Sequence, residues 1–160
     1  MRDATLVFPI KSGSVLLGRK KRGFGAGKWN GFGGKIGSES IEEAAIRELN
    51  EECGLKADQE DLSAAGVLEF RFLDRAEWNM RVHLFRLTRY FGRERTSEEM
   101  EPHWFTFDAI PYGDMWEDDQ HWLPAVLEER TVHGSFVFKN ERIVKISLDI
   151  SESTIRDTEK

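Results

Sequence analysis

Only one cysteine occurs in the 160 residues, so no internal disulfide forms and Cys53 stands alone. No apolar run approaches the length needed to span a bilayer, and the N-terminus carries no basic leader ahead of an apolar stretch. Positive charge is short too: 23 Lys and Arg against 29 Asp and Glu give a net charge of -6. Neither a nucleic acid polymer nor a membrane is therefore an expected partner, and a polyanionic substrate would need local cations. A reducing cytoplasm is the expected compartment and a monomer the expected state. No internal repeat or linker stands out, and 39% hydrophobic residues over this length suit one domain with its own core. That domain is expected over 1–150, with a polar tail at 151–160.

Two phosphate-binding signatures are also missing. Gly34-Lys35 is followed by Ile36 rather than Ser or Thr and lacks the earlier glycine of a phosphate loop, and a dinucleotide fingerprint fails as well. What the chain does have, from Lys20 to Lys35, is a dense run of glycines with Phe24, Trp29 and Phe32 among them. Glycines let backbone approach a ligand closely, and large aromatics usually pack on something, so this segment reads as a pocket wall rather than a solvent loop.

The stretch from Gly33 to Leu55, GGKIGSESIEEAAIRELNEECGL, feeds a helix. Ser40 with Glu43 makes a capping box, Glu42 and Glu43 sit where the helix dipole favours anions, and Gly54 supplies a left-handed stop, which predicts a helix over Ile41 to Cys53. At about 100° per residue, Glu48 and Glu52 lie about 40° apart and Glu51 about 60° to the other side, on a stripe shared with Ile41, Ala44 and Ala45. Carboxylates kept for solubility would oppose the apolar residues, because burying them unpaired is costly. Glu48, Glu51 and Glu52 therefore call for a cation. Three carboxylates with no Cys or His among them make a hard-oxygen site for Mg²⁺ or Mn²⁺, which Arg47 can orient from its edge. Cys53 falls away from this stripe and reads as packing.

The spacing G-x5-E-x7-R-E-(apolar)-x-E-E-x-G-(apolar) is met by Gly33, Glu39, Arg47, Glu48, Leu49, Glu51, Glu52, Gly54 and Leu55. It is the signature of the Nudix hydrolases, and the chain resembles that family. The likeness continues through Lys20 to Lys35, Ser97 to Phe105 and Asp114 to Pro124, where it is similar to the mammalian-type members acting on oxidised purine nucleoside triphosphates. The resemblance implies an α+β Nudix fold, a mixed β-sheet sandwiched between helices. It also implies a Mg²⁺-dependent diphosphatase, with Mn²⁺ as a substitute, that cuts 8-oxo-dGTP or 2-hydroxy-dATP to the monophosphate and pyrophosphate and so sanitises the nucleotide pool. Metal-binding and catalytic roles are implied for Glu48, Glu51, Glu52 and Glu99, with Glu52 and Glu99 both candidates for taking the proton of water. Thr5 and Lys20 match positions near sugar and phosphate, Asn30 matches the base-edge contact, and Phe24, Phe70, Phe72, Met80 and Met100 would wall the base. The chain departs from those relatives in a shortened loop between Lys35 and Glu39, in Ala4 for an aromatic, and in Glu117 for a proline between Trp116 and Asp118.

On the residues alone several of these positions have plainer readings. Phe70 and Phe72 would be core, Glu98 and Glu99 a solvated pair, and His83 a satisfied sheet histidine. Asp118 and Asp119, beside the stacking face of Trp116, either cap a second helix or face the pocket as a pair sharing one proton, able to donate and accept at an 8-oxopurine edge. Strands are expected at Thr5–Ile10, Val15–Arg19, Leu68–Phe72, Val82–Phe85 and Trp104–Phe107, with a loop over Gly92–Glu101. A helix over Gln120–Arg130 would tolerate Pro124 near its first turn, a hairpin of Phe136–Phe138 and Ile143–Ile150 would close the fold, and Ser151–Lys160 would fray.

Overall fold

In a computed structural model that describes residues 1–152, the N-terminal apolar run forms β1 (Arg2–Lys11). Ser12 and Gly13, at φ of 47° and 77°, make the left-handed turn that returns the chain as β2 (Ser14–Lys20). β3 (Trp29–Asn30), α1 (Ile41–Cys53), β4 (Leu62–Phe72), β5 (Met80–Leu87) and β6 (Met100–Thr106) follow. α2 (Asp119–Leu127) then precedes the closing hairpin of β7 (Val132–Lys139) and β8 (Arg142–Ile150). The strand order is β3-β2-β1-β5-β4-β7-β8, with β6 on β2. β1/β5 and β4/β7 are parallel and the other pairs antiparallel, so the sheet is mixed.

One helix covers each face. α1 packs Ala45, Leu49 and Cys53 among Val7, Leu16, Phe32 and Phe85, while α2 packs Trp122, Leu123 and Val126 among Phe8, Leu68, Phe136 and Phe138. Val7 and Phe8 thus face opposite sides, as strand alternation requires. Cys53 is fully buried and its thiol is pushed up to about 12 by burial, which agrees with a packing role. The far end of α2 is held by Arg86 of β5, whose buried guanidinium donates to the carbonyls of Val126 (3.0 Å) and Arg130 (2.8 Å).

β1 and β2 pair only near their hairpin. Beyond it the glycine-rich chain lies against β1, through Val7 N–H to Phe32 O (2.7 Å) and Thr5 N–H to Gly34 O (2.9 Å). A Cβ at Gly33 would stand 1.7 Å from the Thr5 carbonyl oxygen, so this approach admits glycine alone.

Several boundaries differ from expectation. β4 begins at Leu62 rather than Leu68 because its antiparallel pairing with β5 starts at Leu62, with β7 joining on the other side from Gly66. The last two residues of the expected loop, Met100 and Glu101, belong to β6, where Met100 is buried against the core. α2 begins one residue earlier and stops at Leu127; Glu129, with φ 62°, ends any continuation. Pro124 therefore lies in the second turn rather than near the first, and the helix forgoes one backbone hydrogen bond there. Ser151 does not fray: its N–H donates to Thr131 O at 3.0 Å, and its hydroxyl accepts from Thr131 N–H at 2.9 Å. The rest of the expected tail, from residue 153, lies outside the described residues. No described helix is long and apolar enough to cross a membrane.

Candidate active site

α1 starts where Ser40 and Glu43 exchange side-chain and backbone bonds of 3.1 and 2.9 Å, and ends at Gly54 with φ 83°. This placement turns Glu48 and Glu52 towards the glycines against β1. Gly33 N–H donates to Glu52 Oε1 at 2.9 Å, and a Cβ on Gly34 would meet the Glu48 carboxylate at 2.7 Å. Burial pushes Glu52 up to about 8; the Gly33 bond opposes the rise and the charge of Glu48 adds to it. Arg47 donates to Glu39 at 2.7 and 2.8 Å, to Glu48 at 2.8 Å, and more weakly to Glu51 at 3.4 Å.

The expected convergence of three helix carboxylates is only partly realised. Glu48 is 17% exposed but Glu51 is 57% exposed, because the glycine-rich chain meets the helix at Glu48 and Glu52. Glu99 is held by Arg22 at 2.6 Å and is 43% exposed, near enough for its charge to act on Glu52. Among the described residues no three Cys, His, Asp or Glu side chains converge as a ready ligand set.

From Glu52 a cavity of about 430 Å³ runs to the start of α2. There Asp118 and Asp119 are both 3% exposed. Asp118 makes no capping bond to the helix; its Oδ2 instead accepts from Trp122 Nε1 at 2.7 Å, so the capping alternative fails. Burial raises Asp118 to about 6. It raises Asp119 well above the usual carboxyl value, with the charge of Asp118 adding to the rise and Lys28 opposing it. Two buried side-chain polar atoms among the described residues have no hydrogen-bond partner, Thr5 Oγ1 and Asp119 Oδ2, and both residues border this cavity. Asn30 Oδ1 accepts from Gly31 N–H at 2.8 Å, which leaves its amide donors for the cavity.

Thr5, Lys20, Phe24, Asn30, Phe70, Phe72, Met80, Met100, Trp116, Asp118 and Asp119, expected around a substrate, all line this one cavity with Glu52. Glu48, Glu51 and Glu99 are not in its lining. His83 is structural as expected, hydrogen-bonded to Asp3 at 2.9 Å. Missed from sequence were Trp78, in a single 3₁₀ turn over Ala76–Trp78, and Lys28, whose ammonium lies 5.2 Å from the Trp116 ring centroid. Their only signal was a tryptophan in a polar turn and a cation inside the glycine run. Glu117 accepts from Ile143 N–H (2.8 Å) and Arg142 Nε (2.9 Å), tying the turn that carries Trp116 to β8.

The family model of the NUDIX domain matches residues 1–126. The chain belongs to the Nudix family. It is 48% identical to the oxidised purine nucleoside triphosphate hydrolase of Danio rerio, over 88% of each chain, and 46% identical to the same-named protein of Mus musculus, over 86% of each. The fold matches the crystal structure of a MutT protein from Bacillus halodurans with a TM-score of 0.82 at 24% identity, over 93% of this chain and 98% of that one. Nudix hydrolases use divalent metal ions, and this Nudix enzyme has a suitable donor set. Glu48 and Glu52 offer hard oxygens side by side, and Arg47 pairs with Glu39, Glu48 and Glu51, so a buried Glu52 gains from a further cation.

Proposed function

We propose that this Nudix enzyme hydrolyses oxidised purine nucleoside triphosphates, 8-oxo-dGTP and 2-hydroxy-dATP, to the monophosphate and pyrophosphate, as a cytoplasmic monomer whose one catalytic domain spans 1–150. The observation that carries this reading is the buried Asp118–Asp119 pair with its unpartnered Asp119 Oδ2, at the end of an aromatic cavity that begins at Glu52. A pair holding one proton presents a donor and an acceptor together, and moving that proton fits either a guanine-type or an adenine-type oxidised edge. Trp116 supplies a stacking face and Asn30 amide donors, while Lys20 meets phosphate oxygens where the cavity approaches α1.

Glu48 and Glu52 would hold Mg²⁺, with Mn²⁺ as a substitute, and Glu51 and Glu99 lie at the rim of that site. The bound ion supplies charge neutralisation on the phosphates and a water of lowered pKa. Of the two candidates for taking the proton of water, Glu52 is favoured over Glu99, because it borders the cavity and is buried, whereas Glu99 is engaged by Arg22. Gly33 N–H holds the Glu52 carboxylate in place for that role.

The reading is tested by pyrophosphate release with Mg²⁺ from 8-oxo-dGTP, 2-hydroxy-dATP, O6-methyl-dGTP and the four normal deoxynucleoside triphosphates, compared as kcat/KM. A clear preference for the oxidised purines is expected. Uniform turnover would assign the Nudix chemistry to another substrate, and none at all would leave a nucleotide-binding module.

A further inference from the structure

The turn between β4 and β5 carries an aromatic that the Nudix motif does not include. The turn is tied down at both ends: Asn79 Oδ1 accepts from Phe72 N–H at 2.7 Å, Trp78 N–H donates to Arg75 O at 2.9 Å, and the Arg2 guanidinium donates to the Glu77 carbonyl. Trp78 is thereby held half-buried at the cavity wall, with the Arg75 guanidinium 4.4 Å from its ring centroid.

Phe24 packs against both this indole and that of Trp116. Its ring centroid lies 3.6 Å from Trp78 and 4.9 Å from Trp116, at interplanar angles of 49° and 35°. Phe72 meets both indoles nearly edge-on, each at 6.2 Å, and so closes the floor beneath them. Both indoles thus contact one and the same aromatic ring, Phe24, at the wall of the cavity. Phe24 sits between Gly23 (φ 81°) and Gly25 (φ 83°), so the backbone on either side has the conformational freedom to carry the ring aside.

We propose that Trp78 is a further substrate-binding residue, the second stacking wall of a base slot opposite Trp116, and that Phe24 yields its place in that slot to the incoming purine. This rests on the purine-triphosphate reading above and deepens it. A bicyclic purine overlaps both indoles and a pyrimidine overlaps them less, so Trp78 adds selectivity for ring size at a wall remote from the hydrogen-bonding pair.

Steady-state kinetics on 8-oxo-dGTP test it with Trp78→Leu, which fills apolar volume without a π-face, and Trp78→Phe, which restores one. Trp78→Leu should raise KM about tenfold, the scale of losing one aromatic stacking partner, with the loss falling on KM rather than kcat. Trp78→Phe should recover most of it. An unchanged KM in Trp78→Leu overturns the proposal, as does an equal fall of kcat and Tm in both variants, which marks a scaffold residue. Calorimetric binding of dGMP and dCMP to the same proteins reads the slot without turnover. A tenfold loss for dGMP with little change for dCMP supports it even if the wild type proves inactive on oxidised purines, while equal losses for both overturn it.

Discussion

Replacing both Asp118 and Asp119 by asparagine should stabilise the protein as pH rises while spoiling base recognition. Both side chains are 3% exposed, so charge on the pair is set against burial with almost no solvent to screen it. Asp118 titrates at about 6 in the fold against 3.8 for an ordinary aspartate. Its folded pKa is raised, so its contribution is most favourable below the unfolded value and is lost as pH climbs through the folded one. At about 1.36 kcal/mol per pKa unit the whole loss is about 3 kcal/mol, of which roughly half has occurred by pH 5. Asp119, raised further by burial and by its neighbour, adds a loss of the same sign. Asparagines carry neither charge, and the one at 118 still offers an oxygen to Trp122 Nε1. The stability gap between the D118N/D119N variant and the wild type should therefore widen by about 1–2 kcal/mol between pH 5 and pH 8, a shift of a few °C in Tm. Urea and thermal melts across that range read it directly. Parallel curves for the two proteins would refute the buried, proton-sharing pair, and an undiminished preference for 8-oxo-dGTP over dGTP in the variant would refute its role in recognition.

Glu52→Gln keeps an acceptor for Gly33 N–H but should lower kcat by about 10²–10⁴, the usual worth of a positioned proton acceptor; a wild-type kcat would remove Glu52 from the mechanism. Exhaustive chelation should stop pyrophosphate release, and Mg²⁺ or Mn²⁺ should restore it, whereas turnover surviving chelation would contradict the metal site. Gly34→Ala drives a methyl against the Glu48 carboxylate and should raise the Mg²⁺ concentration needed for half-maximal rate, so an unaltered Mg²⁺ titration would show that Glu48 does not hold the ion. Glu117→Ala frees the Trp116 turn from Ile143 and Arg142 and should raise KM for 8-oxo-dGTP several-fold with kcat little changed; an unchanged KM would make that clasp incidental to the pocket.

The features legible in the chain were those whose causes lie within a few residues. The capping box at Ser40 and Glu43 and the stop at Gly54 set α1 to the residue, because capping joins atoms three or four positions apart. The motif glycines were readable as a close approach, but the carbonyl that Gly33 meets belongs to Thr5, on another strand. The helical wheel could not say which side the glycine-rich chain would cover, so Glu51 looked more enclosed than it is.

Asp118 and Asp119 show the same division more sharply. Their local sequence supports a helix cap as well as a pocket pair, since an aspartate just before a helix suits a cap and two adjacent aspartates suit a shared proton. The packing of Trp122 and the aromatic strands around them chose between the two, by denying Asp118 its cap and burying both carboxyls. Trp78 and Glu117 acquire their partners from distant segments, Phe24 in the loop after β2 and Ile143 on the last strand, and no local pattern announces either. By itself the sequence determined the chemistry available to this Nudix enzyme, because residue types and helical spacing put hard oxygens, cations and aromatic faces in the chain. Tertiary structure alone decided which of them share one cavity and which are buried there, because burial, and the pKa shifts it causes, depends on neighbours brought together from far along the chain.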